Sequence, residues 1–129
     1  MTNNFITDIE SILKHQLLYP QDVHFGAIRC RRHIYPISNG LFIYPLALCF
    51  SKRKEESDIE HLSFLLNWIC ARQEPTGFWL SDYDRIMDNL LLFTALVFSY
   101  PLIYTHLSKQ NLYGCREVIV RSMIWHFRQ

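Results

Sequence analysis

The chain has 129 residues, half of them apolar and 15% aromatic, which suits one domain with a substantial core and excludes an intrinsically disordered chain. A formal net charge of +1 excludes a strong field that would steer the chain to nucleic acid. Its two short basic runs, Arg29-Cys-Arg-Arg32 and Lys52-Arg-Lys54, read as solvated loop charges, the second being followed at once by Glu55 and Glu56.

The first predicted helix covers residues 3 to 18. Phe5, Ile6, Ile9, Ile12, Leu13 and Leu17 make its apolar face, Thr2 or Asn3 its cap, and Pro20 its end. Residues 20 to 38 form a long loop with Pro20, Gly26 and Pro36 and no sustained period. A loop of that length in a small domain either makes a surface excursion or lines a cleft. The second helix covers 39 to 51, capped by Ser38 or Asn39, with Pro45 expected to kink it. A charged link, 51 to 57, leads to the third helix, 58 to 73, where Ser57 and Glu60 supply a Ser-x-x-Glu capping box. Pro75 and Gly77 then force a stop and a tight turn that presents Trp79. The fourth helix, 85 to 106, is capped by Asp84 and carries Pro101. The fifth runs from 109 to the end, capped by Ser108. No segment alternates at period two for long enough to make a strand. The fold class is therefore all-α: about five helices in antiparallel hairpins, within a single domain spanning 1 to 129.

Cys30, Cys49, Cys70 and Cys115 match neither a zinc ribbon nor a disulfide framework, and all four read as free thiols. Cys30-x-x-His33 with His24 offers three ligands but no fourth at a recognisable spacing, so no metal or other cofactor is expected. The first ten residues lack the basic and apolar regions of a secretory signal, which makes the cytoplasm the default location. Leu90 to Leu107 is apolar almost all round; its length favours a buried core helix over a membrane span.

A particular order of features emerges. A basic-aromatic run, Arg29-Cys-Arg-Arg-His-Ile-Tyr35, precedes a helix with Tyr44-Pro45-Leu46-Ala47. Then come Asn67-Trp68-x4-Gln73-x3-Gly77-x-Trp79 and a helix beginning near Asp88. This order resembles the first hairpins of (α/α) toroid enzymes that act on glycans, namely the heparinase II/III-like polysaccharide lyases and the six-hairpin glycosidases. The acidic residue of the family's turn is replaced by Thr76 here. The resemblance covers residues 22 to 127 and implies a partial (α/α) toroid, since a closed ring needs two to three times this length.

What the resemblance implies for function is processing of an acidic polysaccharide by a lyase or hydrolase. Its cleft would be lined by the 22 to 38 and 74 to 84 loops. Arg31 and Arg32 would hold a uronate, because a guanidinium offers a bidentate fork. Trp79 would stack on a sugar face, with Asp82 beside it. Asp88, Tyr35 or His33 would move the proton. Other readings of the same residues stay open. Trp79 plugs the hairpin against Trp68, Asp84 and Asp88 serve the helix dipole, and the basic loop is solvated. The alternative function is a non-catalytic helical interaction module or a remnant of such an enzyme. The partners expected are an acidic oligosaccharide, or a second copy or another chain that completes the ring.

Overall fold

The structure, a computed structural model, describes residues 3–129. Among the described residues the chain forms five α-helices and no strand: α1 (Asn3–Leu13), α2 (Pro36–Arg53), α3 (Glu56–Arg72), α4 (Arg85–Ile103) and α5 (Lys109–Phe127), with a 3-10 turn at Tyr104–His106. The all-α expectation holds. Asp84 caps α4 by accepting from the Met87 N–H at 3.0 Å, and Ser108 caps α5 by accepting from the Asn111 N–H at 3.1 Å, both as expected.

Other boundaries differ for identifiable reasons. Helix α1 stops at Leu13, not 18, because Gln16 and Leu17 turn to pair with Ile28, Ala27 and Gly26. Thr2, one of its two expected caps, lies outside the described residues. Helix α2 begins at Pro36, whose fixed φ and missing N–H suit a first helical position. It runs through Pro45 to Arg53. Helix α3 begins at Glu56, before Ser57, so the expected capping box does not form; the cap position is Glu55, which makes no side-chain cap bond. Helix α4 is not buried all round. Only a third of its most apolar window is covered, although Arg85–His106 is long and apolar enough to cross a membrane.

The core lies where α2, α3, α4 and α5 meet, around Ile43, Leu46, Leu65, Ile69, Leu92 and Leu96. Helices α2 and α4 run parallel and very close. A Cβ on Gly40 would lie 2.4 Å from Leu92, and further along the pair Tyr44 meets Phe98. The starts of α2 and α4 therefore share one end of the bundle. The loops that precede them lie at that end too. Buried Asp58 accepts two bonds from Arg53, at 2.7 and 2.8 Å, and Arg53 also reaches Glu10 of α1.

The hydrogen bonds reveal an internal repeat. Gln16, after α1, donates its Nε2 to Gly26 O and to His61 O, 45 residues on. Gln73, after α3, donates its Nε2 to Gly77 O and to Val118 O, also 45 residues on. Both glycines have positive φ, +92° and +111°, and a Cβ on either would lie 2.2 or 2.3 Å from a carbonyl oxygen, of Phe64 in α3 or of Arg121 in α5. In each repeat an asparagine in the next helix then clamps the residue two after the glycine. Asn39 accepts from Ile28 N–H at 2.6 Å and donates to Ile28 O at 3.0 Å; Asn89 accepts from Trp79 N–H at 2.7 Å and donates to Trp79 O at 2.9 Å. Each asparagine also donates to the carbonyl four residues before it, Tyr35 or Arg85. The molecule is thus two helical hairpins, α1–α2 and α3–α4, with α5 occupying on the second the place that α3 occupies on the first.

Candidate binding face

The clamp settles the place of Trp79, and corrects the expectation that it stacks on a sugar. Its side chain is fully buried, and its indole N–H donates to Ile69 O at 2.9 Å. A ring held on both its backbone and its indole nitrogen is a structural plug. Its neighbours follow the same logic. Asp88 is half-buried and accepts from the Ser81 hydroxyl, and its own N–H donates to Asp84 O in the first turn of α4. Asp82 is exposed on the preceding loop.

The other expected residues sit on a separate structure at the same end. Cys30 and His33 exchange two backbone hydrogen bonds, 2.8 and 3.0 Å, which leaves Arg31 and Arg32 at the tip of a two-residue turn. Arg31 has φ +57°, a left-handed conformation that a side chain other than glycine's adopts at a cost. Arg31, Arg32 and His33 are exposed. The His33 and Tyr35 rings lie 5.5 Å apart, and Tyr35 is the residue that precedes α2. No hydrogen bond among the described residues joins this turn to Asp82 or Asp88.

Beside the turn is a cavity of about 570 Å³ between α1, residues 28–31 and the start of α2. Ile12, Ile28 and Phe42 supply apolar walls; His15, Arg29 and Arg31 supply positive or titratable groups, with Cys30, Ser38 and Asn39 between them. No acidic residue lines it. Among the described residues neither Arg29 nor Arg31 makes a side-chain hydrogen bond or an ion pair, in contrast to Arg53, which holds Asp58. The arrangement is concave, with apolar walls and two exposed arginines. It can hold an anionic group on an apolar body.

Reading the sequence alone brought Arg31, and Arg29 within a loop read as a possible cleft lining, to this cavity but missed Ile12, His15 and Phe42. It also missed Gln16, Asn39 and Asn89, which build the wall. A comparison of Gly26-x-Ile28 with Gly77-x-Trp79 would have signalled the repeat. The distance from glutamine to glycine, 10 residues in one hairpin and 4 in the other, hides it. Among the described residues no group of three His, Cys, Asp or Glu side chains is placed to hold a metal ion.

The thiols are all free, and Cys30, at the cavity, is the exposed one. Burial pushes Cys70 up to about 12 and Cys115 up to about 11. Burial also raises Cys49, with the Asp58 carboxylate adding to the effect. The three core thiols are thus protonated and poor nucleophiles at neutral pH.

Comparison of the chain with protein-family models, with curated proteins and with solved structures gives no match. The likeness to (α/α) toroid enzymes rests on the residues quoted above and on no relative.

Proposed function

We propose that the chain is a non-catalytic helical-hairpin interaction module. Its α1–α2 face, with the cavity and the Arg29–Arg31 rim, binds an acidic and partly apolar polypeptide segment. The observation that carries this reading is the pair of unpartnered arginines at the edge of an apolar cavity with no acid in its lining. Two uncompensated guanidinium groups favour a carboxylate, and Ile12, Ile28 and Phe42 favour an apolar side chain beside it. The residues that a glycan enzyme would have used at the second hairpin, Trp79 and Asp88, are committed to the clamp and to the first turn of α4.

The test is a calorimetric titration of the full chain with a short synthetic helix carrying leucine and aspartate on one face. Binding that weakens at least tenfold with added salt, and is lost in R29E/R31E, supports the reading. No binding, or binding that R29E/R31E leaves unchanged, overturns it.

A second reading, lysis or hydrolysis of acidic polysaccharide, is favoured by one observation: the Ser81–Asp88 pair and the basic turn share one end of the bundle. Its test is the appearance of reducing ends or of unsaturated uronate absorbance in a panel of acidic polysaccharides. Turnover that Asp88→Asn abolishes would establish it in place of the interaction module.

A further inference from the structure

The repeat has two open ends, and they complement each other. Within the chain, α2 of the first hairpin packs along α4 of the second in parallel register, with Gly40 and Tyr44 turned toward it. The positions on α4 that correspond to this contact face, repeat for repeat, are Met87, Leu90, Thr94 and Val97. On α2 the equivalent Gly40 and Ala47 are covered; on α4 Met87, Leu90 and Val97 are 51%, 43% and 37% exposed. These positions recur at three- and four-residue intervals, as a helix seam does, and no charged side chain lies between Asp88 and His106.

The opposite end of the array is the α1–α2 face. There the first hairpin presents the surface that the second hairpin presents to α2, but with the cavity in place of a covering helix. Charge distinguishes the two ends. The loop and first turn before the open α4 seam carry Asp82, Asp84 and Asp88 against one cation, Arg85, which lies over the Phe78 ring, whereas the corresponding turn of the first hairpin carries Arg29, Arg31 and Arg32 and no acid. In the parallel register that α2 and α4 already adopt, a hairpin set against the next one brings these two turns together.

We infer that two copies of this chain associate head to tail, the α4 seam of one seated on the α1–α2 face of the other. Leu90, which stands where the first hairpin has Gly40, enters the cavity between Ile12, Ile28 and Phe42. The acidic turn of the one copy lies against the arginine turn of the other. This inference rests on the reading of the α1–α2 face as a binding surface, and names its occupant. The interface is heterologous, so each dimer retains one free end of each kind and extends further unless its geometry closes a ring.

The experiment uses two variants of the full chain, with folding checked by far-UV circular dichroism. R29E/R31E spoils the head, and D82N/L90E spoils the tail at two exposed positions without creating a charge that pairs with the altered head. Sedimentation equilibrium of the unaltered chain is expected to show concentration-dependent association that salt weakens. Each variant alone is expected to self-associate at least tenfold more weakly. An equimolar mixture of the two is expected to give a capped complex of two chains and nothing longer, since only one intact head and one intact tail remain. A mixture that stays monomeric while the unaltered chain associates overturns the head-to-tail arrangement, as does an unaltered chain that remains monomeric. A monomer that co-sediments with neutral phosphatidylcholine vesicles assigns the α4 seam to lipid and also overturns it. A monomer that still binds the acidic helix overturns the second copy as occupant alone; a monomer that binds neither overturns the binding face as well.

Discussion

Asn89 and Asn39 do the same work at equivalent places, and the work is measurable at single atoms. Asn89→Ala leaves the N–H and the C=O of a fully buried Trp79 without partners. Unpaired buried groups of this kind cost about 1–3 kcal/mol each, so a loss of about 2–6 kcal/mol is expected in urea denaturation, a large share of the stability of a domain this size. Asp88→Asn, one residue away, is expected to cost far less, because it keeps an acceptor for Ser81. The thiols make a second prediction at this scale. Cys70 and Cys115 bind their protons more tightly when folded than the ordinary value of 9.0. Between about pH 9 and pH 11 the unfolded chain releases protons that the folded chain keeps, so folding stability falls as pH rises. The slope is on the order of 1 kcal/mol per pH unit for each thiol. The thermal midpoint should therefore drop through that window, and drop less in C70A/C115A.

At the scale of the element, the helices legible in the sequence were those whose ends are set by local chemistry. Asp84 and Ser108 each accept a backbone N–H from three residues on, and both were readable from residue type and place. The Ser57 box was equally readable and does not form: the helix starts one residue earlier, at Glu56, so Ser57 lies inside it and cannot stand at the cap position. Substituting Asp84 or Ser108 with alanine should cost about 1 kcal/mol, and Ser57→Ala nearly nothing, in the same denaturation series. The early end of α1 was not legible, since it is dictated by pairing of Gln16 and Leu17 with residues around Gly26, and periodicity carries no information about such a partner. Helix α4 was misjudged for the opposite reason. An apolar run suggests burial on every side, and here one side is a seam left open by the array.

At the scale of the whole molecule, the all-α class and the hairpin order followed from the period of the apolar residues. The division of labour between the two hairpins did not. Trp79 could be read from the sequence either as a sugar platform or as a plug in its hairpin, and its full burial makes it a plug. What holds it in the core is its hydrogen bonds to Asn89 and Ile69 O, and the sequence shows neither relation. The cavity was half legible: the arginine turn stood out, but its apolar walls come from α1 and α2, brought together by the Gln16 and Asn39 bonds. The strain at Arg31 gives the turn a further test. Arg31→Gly should hold or raise stability by up to about 1 kcal/mol, since glycine accepts φ +57° freely, while weakening binding at the cavity.

The measurement that bears most directly on the binding face is backbone amide chemical-shift mapping of the full chain as the acidic helix is added. Binding at the α1–α2 face would concentrate the shifts at residues 12–15, 28–32 and 38–42 and leave residues 77–79 and 89 undisturbed. Shifts centred on residues 79–88, or none on the α1–α2 face, would contradict it.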